Sequence, residues 1–385
     1  MRIERPWLGA PGARAVMTML GEGGHRALYV GGCVRDALMG RDAGDIDVAT
    51  DALPARVTEL ATAAGLRAVP TGEAHGTITV VADGQPYEVT TFRRDVETDG
   101  RRAVVAFTDR LEEDASRRDF TMNALYAEAD GTVVDPLGGL PDLEARRVRF
   151  VGEPEARIRE DYLRILRFFR FNAWHGRGID AEGLAACAAL ADGLESLSGE
   201  RVGMEMKKLL AAPDPAPALA AMEASGVLAR VMPGATPAVV APLVHLEEAP
   251  GGWTRRAAAM GGEVSGWRLS RAEAKALTVL RGALEAGTGL GEVAWRHGPE
   301  AAWDVALVRG ASAGAIPPGA REEIARGAEA EMPVRAADLA DALSGKALGD
   351  GLRRAERAWI DSGFDMGREA LVAAALASGD AGAPP

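Results

Sequence analysis

Two carboxylates, Asp45 and Asp47, are separated by one residue in the run Asp45-Ile46-Asp47-Val48-Ala49-Thr50. This run predicts a strand over 45–50. Period-two alternation on it would set both acids on one face and turn Ile46 and Val48 to the core. Such a pair is self-repelling unless a cation lies between the acids, and its hard oxygen donors suit Mg²⁺, which keeps coordination positions for water and phosphate. Just upstream lies Tyr29-Val30-Gly31-Gly32-Cys33-Val34-Arg35-Asp36, which reads as a strand, a glycine turn and the start of a helix. Glycine lets backbone N–H groups approach an anion, and a helix N-terminus favours negative charge. Arg35 follows Gly32 by one helical turn and can reach the same anion. Glu88, in Tyr87-Glu88-Val89-Thr90-Thr91-Phe92, is a third acidic group on a β-rich run. Three carboxylates can hold two Mg²⁺ ions about 3.5–4 Å apart for an in-line phosphoryl displacement. A bare Asp-x-Asp also suits a solvated strand edge; the glycine turn beside it favours the metal reading.

The elements that must position these groups are mixed α and β over the first ~150 residues. Residues 11–22 read as a helix, Ala27–Val30 as a strand and Val34–Met39 as a helix. Pro54 opens another helix. Thr77–Ala82 and Tyr87–Phe92 read as two strands joined by the hairpin dipeptide Asp83-Gly84. Arg93–Ala106 is polar and reads as a mobile loop. Glu155–Trp174 has helical apolar spacing (Ile158, Tyr162, Ile165, Leu166, Phe169, Ala173), and helical patterns broken by Pro and Gly continue to the end.

Composition narrows the function classes. The 385 residues carry 44 basic and 56 acidic side chains, a net charge of −12. That argues against a general nucleic-acid coat protein and leaves room for an enzyme with a local basic groove. Only Lys207, Lys208, Lys275 and Lys346 are lysines; all other cations are arginine. Cys33 and Cys187 offer no disulfide framework. No apolar run reaches the ~18–20 residues of a membrane helix, and the N-terminus lacks a signal pattern. The expected location is the cytoplasm, with no membrane partner.

These residues resemble a known family. Gly31-Gly32-Cys33-Val34-Arg35-Asp36 with Asp45-Ile46-Asp47 is similar to the first motif of the class II tRNA nucleotidyltransferases, which include CCA-adding enzymes and bacterial poly(A) polymerases. In the same order along the chain, His75-Gly76-Thr77 and Glu88 to Arg93 resemble the family's hairpin. Arg117-Arg118-Asp119-Phe120-Thr121-Met122-Asn123-Ala124 resembles its second motif, Asp135 to Leu143 its third, and Glu160-Asp161-Tyr162-Leu163-Arg164-Ile165-Leu166-Arg167 its fourth. The resemblance covers roughly residues 25–175. It implies an α+β chain, with a polymerase-β-like nucleotidyltransferase head (1–150), an all-α neck that recognises the base (151–225) and a helical body and tail that bind tRNA (226–385). It implies template-independent transfer of CMP and AMP from CTP and ATP to the tRNA 3′ end, with no DNA partner. Arg118, Arg167 and Arg170 are nucleotide-contacting by this resemblance.

In the fourth motif, Asp161 and Arg164 lie three apart, hence on one face if the stretch is a helix. Cytosine and adenine each present an amino donor beside a ring-nitrogen acceptor. A carboxylate takes the first and a guanidinium serves the second, whereas guanine and uracil offer a carbonyl where the carboxylate needs a donor. Asp161 and Arg164 therefore form a candidate base-reading pair. Lys207-Lys208 and Arg255-Arg256 are candidate tRNA contacts, and either pair also suits a solvated face. An A-only transferase and a catalytically idle RNA-binding protein on the same scaffold remain alternatives.

Overall fold

The computed structural model describes residues 1–42, 44–99, 102–249 and 252–377. The chain divides into two compact units, Met1–Pro233 and Gly234–Pro385.

In the first unit, α1 (Pro11–Glu22) leads into β1 (Ala27–Val30), α2 (Gly32–Leu38) and β2 (Asp47–Thr50). Then come α3 (Pro54–Ala63), β3 (Arg67–Gly72), β4 (Thr77–Ala82) and β5 (Gln85–Thr91). A hairpin, β6 (Arg93–Asp99) and β7 (Arg102–Phe107), precedes α4 (Leu111–Ser116), β8 (Tyr126–Ala127), β9 (Val133–Val134) and α5 (Leu140–Glu144). The helices α6 (Pro154–Glu160), α7 (Leu163–His175), α8 (Ala181–Ala189), α9 (Gly199–Leu210), α10 (Ala216–Ala224) and α11 (Val227–Val231) complete the unit. A seven-stranded sheet runs β3-β4-β5-β2-β1-β8-β9. Only β2 and β5 pair in parallel; every other neighbouring pair is antiparallel. Asp83 and Gly84 both have positive φ (51° and 72°), the turn a two-residue hairpin needs.

Pleating sorts the two faces of this sheet. Leu28, Val30, Ala49 and Tyr126 point to one side, where they pack with Phe92, Ala124 and with Leu111 and Ala115 of α4. The opposite side is packed by α1 and α3. Asp47 shares the α4 side, because it is two residues from Ala49. The head joins α7 through rings: Phe120 lies 5.0 Å from Phe150 and 5.2 Å from Phe171, and Phe150 stacks 5.5 Å from Phe168. Gly139 allows the third motif to close on the second, since a Cβ there would sit 2.4 Å from the Thr121 carbonyl oxygen.

Three sequence expectations are corrected. The strand expected from residue 45 begins at Asp47, and Asp45 is exposed in the bend before it. Residues 93–99 and 102–106, expected as a mobile loop, pair as the strands β6 and β7; residues 100 and 101 of that expected loop lie outside the described residues. The helix expected over Glu155–Trp174 is broken at Asp161 and Tyr162. Asp161 has extended backbone (φ −156°, ψ 107°), and its Oδ1 accepts the Leu163 N–H at 3.1 Å. That bond, from the first N–H of α7, closes an Asx turn just ahead of the helix.

The second unit is helical: α12 (Val240–Leu246), α13 (Trp253–Met260), α14 (Arg271–Glu285), α15 (Leu290–His297), α16 (Pro299–Ala313), α17 (Ala320–Glu329), α18 (Gly345–Asp361) and α19 (Arg368–Leu376). Ser270 and Glu273 form a capping box at the start of α14. One core gathers Leu243, Leu307, Val308 and Ala311, another Trp359, Leu339, Leu371 and Ala375. The expected tRNA-contacting pair Arg255-Arg256 lies here and is not a free basic surface. Arg256 is fully buried and its Nη2 donates to Glu247 Oε2 at 2.6 Å, while Arg255 is shared between Glu247 and Asp304. Breaking a buried pair costs about 3–5 kcal/mol. Arg256→Ala should therefore lower urea-unfolding stability of this unit by about that amount; a loss below 1 kcal/mol would contradict the buried pairing.

Candidate active site

Parallel pairing places Asp47 directly beside Glu88, with Ala49 beside Thr90, so both carboxylates point to one face of adjacent strands. Asp45 arrives from the preceding bend. Burial first, then the negative charges of Glu88 and Asp45, push the Asp47 carboxyl up to about 6 against the pull of Arg118. The three acids and Arg118 thus share one electrostatic neighbourhood. The strand-alternation argument holds for Asp47 and Glu88; Asp45 joins them from outside the strand.

Gly31 has φ +72° and caps α2, whose first residue is Gly32. A Cβ at Gly31 would lie 3.3 Å from Arg118 Nη1. The Arg118 guanidinium therefore faces the glycine turn, and a Cβ at Gly32 would lie 3.9 Å from Arg35 Nη2. Arg35 stands behind the turn: Nε and Nη2 donate to the two carboxylate oxygens of Asp36, each at 2.9 Å, and Nη1 donates to Asn123 Oδ1 at 2.8 Å. Its fork braces the first turn of α2.

From Asn123 the polar contacts run on into the helices. Asn123 donates to Asp119 Oδ1 at 3.0 Å, and Arg167 donates Nε and Nη2 to Asp119 Oδ2 at 2.8 and 2.5 Å. Burial would raise the Asp119 carboxyl; Arg167 and the bond from Asn123 outweigh it and bring the group down to about 2. Glu205 of α9, buried, accepts from Arg170 Nε at 2.5 Å. The guanidiniums of Arg35, Arg167 and Arg170 ring Phe171 at 5.2, 5.4 and 4.3 Å from its centroid. Beneath them, burial and the cations Arg35, Arg41, Arg170 and Arg146 push His175 down to about 2, so that it is neutral and Nδ1 accepts from Arg41 at 3.1 Å.

Each member of the expected base-reading pair is held by a partner of its own. Asp161 Oδ2 accepts from Arg201 Nη2 at 2.6 Å. Arg164 donates to Glu160 and to the carbonyl of Arg157 (2.8 Å). Arg201 and Glu205 of α9 escaped the sequence reading, although Glu205 stands among the buried Val202, Met206 and Leu209, an acid on an apolar face. Asp114 and Tyr126 escaped it too; the Asp114-Ala-Ser-Arg-Arg spacing, which puts Arg117 and Arg118 three and four residues on, is the signal that could have found the first. Asp135 accepts the Gly139 and Leu140 amides, a turn-forming role. Lys208 is exposed and Lys207 half-buried.

A mixed sheet with carboxylates on adjacent strands beside a glycine turn places the chain in the class of polymerase-β-like nucleotidyltransferase folds. Residues 27–149 match the poly A polymerase head domain, and 178–239 match the probable RNA and SrmB-binding site of polymerase A. A CCA-adding enzyme of Geobacillus thermodenitrificans is 43% identical over 249 residues, 64% of this chain and 57% of that protein. The mitochondrial CCA tRNA nucleotidyltransferase 1 of Mus musculus is 44% identical over 220 residues, 54% of this chain and 50% of that protein. The Bacillus stearothermophilus CCA-adding enzyme, crystallised with CTP, superposes with a TM-score of 0.73 at 31% identity, over 93% of this chain and 94% of that one. The chain belongs to the tRNA nucleotidyltransferase and poly(A) polymerase family. Its matched stretch spans about half the length of the curated relatives.

The family uses divalent metal ions, and the residues fit one. Asp45 and Asp47 supply hard oxygen donors, and burial, followed by the charges of Glu88 and Asp45, raises the Asp47 carboxyl, a cost that a bound cation would offset. Among the described residues no group of three or more His, Cys, Asp and Glu side chains could hold a metal ion. Asp45 and Asp47 would hold the ion with Glu88 beside them, and water and phosphate would complete its coordination. No helix among the described residues is long and apolar enough to cross a membrane.

Asp119 is ionised in the fold down to about pH 2, below the ~3.9 of an unfolded aspartate. Its contribution is therefore complete above about pH 4 and is lost as pH falls toward 2. Melting temperature measured from pH 6 to pH 2 should drop steeply below pH 4, and Asp119→Asn should flatten that drop. An unaltered slope in the variant would show that the Asp119–Arg167 pair is not linked to folding.

Proposed function

We propose that this protein is a CCA-adding tRNA nucleotidyltransferase, which transfers CMP and AMP from CTP and ATP to the tRNA 3′ end and releases pyrophosphate. The observation that carries the reading is the register of Asp47 beside Glu88, with Asp45 and Arg118 in the same charge neighbourhood and Arg118 Nη1 at the Gly31 turn. The relative crystallised with CTP supports it.

Asp45 and Asp47 hold Mg²⁺, with Glu88 beside them. When bound, the ion lowers the pKa of the attacking 3′-hydroxyl and neutralises charge on the phosphates. Gly32 and Arg118 receive the triphosphate, and Arg35 keeps the first turn of α2 in place for it. Asp161 accepts the amino group shared by cytosine and adenine, and Arg164 donates to their ring nitrogen. Arg167 and Arg170 carry the nucleotide on the same side of α7. Residues 1–150 act as the head, 151–225 as the base-recognising neck and 226–385 as a helical body and tail for tRNA, in the cytoplasm.

Incubation of the purified chain with tRNA lacking CCA, Mg²⁺ and labelled CTP and ATP should add both nucleotides and stop after three. Addition of AMP alone, or of nothing, would reject the reading. Asp47→Ala should abolish transfer without lowering the melting temperature, because it removes one member of a mutually repelling set. An unpaired polar group costs roughly 1–3 kcal/mol, so Asp161→Ala should weaken discrimination against GTP and UTP roughly 10- to 100-fold, read from kcat/KM ratios. Unchanged selectivity would remove Asp161 from the base-reading role.

A further inference from the structure

One buried carboxylate outside the residues assigned above is bonded on every side. Asp114, at the end of α4, is 1% exposed. Its Oδ2 accepts from Arg118 Nη2 at 3.1 Å and from the Tyr126 hydroxyl at 2.7 Å. Its Oδ1 accepts from Arg117 Nε at 2.9 Å and from the Arg93 amide, where β6 begins, at 3.4 Å. The Tyr126 hydroxyl in turn accepts from Arg118 Nε at 3.0 Å, and the guanidinium carbon lies 5.2 Å from the Tyr126 ring centroid. Burial works against the Asp114 charge, but Arg118 and Arg117 bring the carboxyl down to about 2, so it is an anion at any working pH.

Two of the three guanidinium nitrogens of Arg118 are thus spent on the side away from the glycine turn. Among the described residues Nη1 is the nitrogen left over, and it is the one 3.3 Å from the Cβ position of Gly31. A free arginine would have to give up rotamer freedom on meeting a ligand; this one has already given it up. We propose that Asp114 and Tyr126 are positioning residues that aim Arg118 Nη1 at the phosphates of the incoming nucleoside triphosphate. The inference rests on the reading of Arg118 as a nucleotide-contacting residue. Because the contact is with phosphate, the positioning serves CTP and ATP alike, unlike that of the base-reading groups.

The test is a cycle of Tyr126→Phe, Arg118→Ala and the double variant, with KM and kcat for CTP and for ATP. Tyr126→Phe deletes one oxygen and keeps the ring, and its melting curve reports folding. The expected result is a KM raised about 5- to 10-fold for both nucleotides with kcat within twofold, and no further rise when the change is made in the Arg118→Ala background. Asp114→Asn, which keeps an acceptor and loses the charge, should shift KM in the same direction and serves if the phenylalanine variant fails to fold. If Arg118→Ala raises KM while Tyr126→Phe and Asp114→Asn leave it alone, the positioning role is overturned and the role of Arg118 survives. Additive effects of Tyr126→Phe and Arg118→Ala overturn it equally, since the hydroxyl would then act independently of the arginine. If Arg118→Ala leaves KM unchanged, the underlying reading of Arg118 falls and the inference falls with it.

Discussion

The pairing of Asp119 with Arg167 is the contact on which the arrangement of the first unit turns. Asp119 belongs to the segment that leads into the last strands of the sheet, and Arg167 belongs to α7. The pair continues in both directions: through Asn123 and Arg35 to Asp36 at the glycine turn, and through Arg167 to Glu205 and Arg170. The phenylalanines below supply apolar burial, which is non-directional and would tolerate rotation of α7 about its axis. The bidentate fork of Arg167 does not tolerate it, because both N–H groups must meet one carboxylate. The rings hold the helix against the head, and the ion pairs set which of its residues face the site.

Arginine, used almost to the exclusion of lysine, suits this design. Each planar fork can serve a protein carboxylate with some donors and leave another aimed elsewhere. Arg118 shows that division of labour most clearly, and Arg35 shows the opposite outcome, with its fork turned onto Asp36 and Asn123. The excess of acid over base in the composition is accordingly a poor guide to the site. Many acids are consumed locally by arginine, while Asp47 is left facing the charges of Glu88 and Asp45.

How much could be read in advance depends on how far the deciding contact lies along the chain. The strand β1 follows from a short apolar run, β4 and β5 from β-rich runs, and the turn between the last two from Asp83-Gly84, all set by neighbours in sequence. The acids Asp45, Asp47 and Glu88 were legible by type and spacing. Where Asp161 stands was not, because its backbone is extended between α6 and α7 and its carboxylate turns onto the Leu163 N–H. Arg255-Arg256 looked like a basic surface because the acids that neutralise it, Glu247 and Asp304, arrive from elsewhere in the fold. Tyr126 and Arg201 have no motif that announces them; each is defined by a partner brought close by packing.

The reach of the Asp119 carboxylate also says where this chain can be cut. The stretch that matches the head-domain model ends at residue 149, and a fragment ending there would retain Asp119 and lose Arg167. It would also strip Phe150, Phe168 and Phe171 from Phe120, leaving an anion and an aromatic face with nothing to cover them. The compact unit runs to Pro233. The segment recognisable as a module by its sequence is completed by contacts from the helices that follow it.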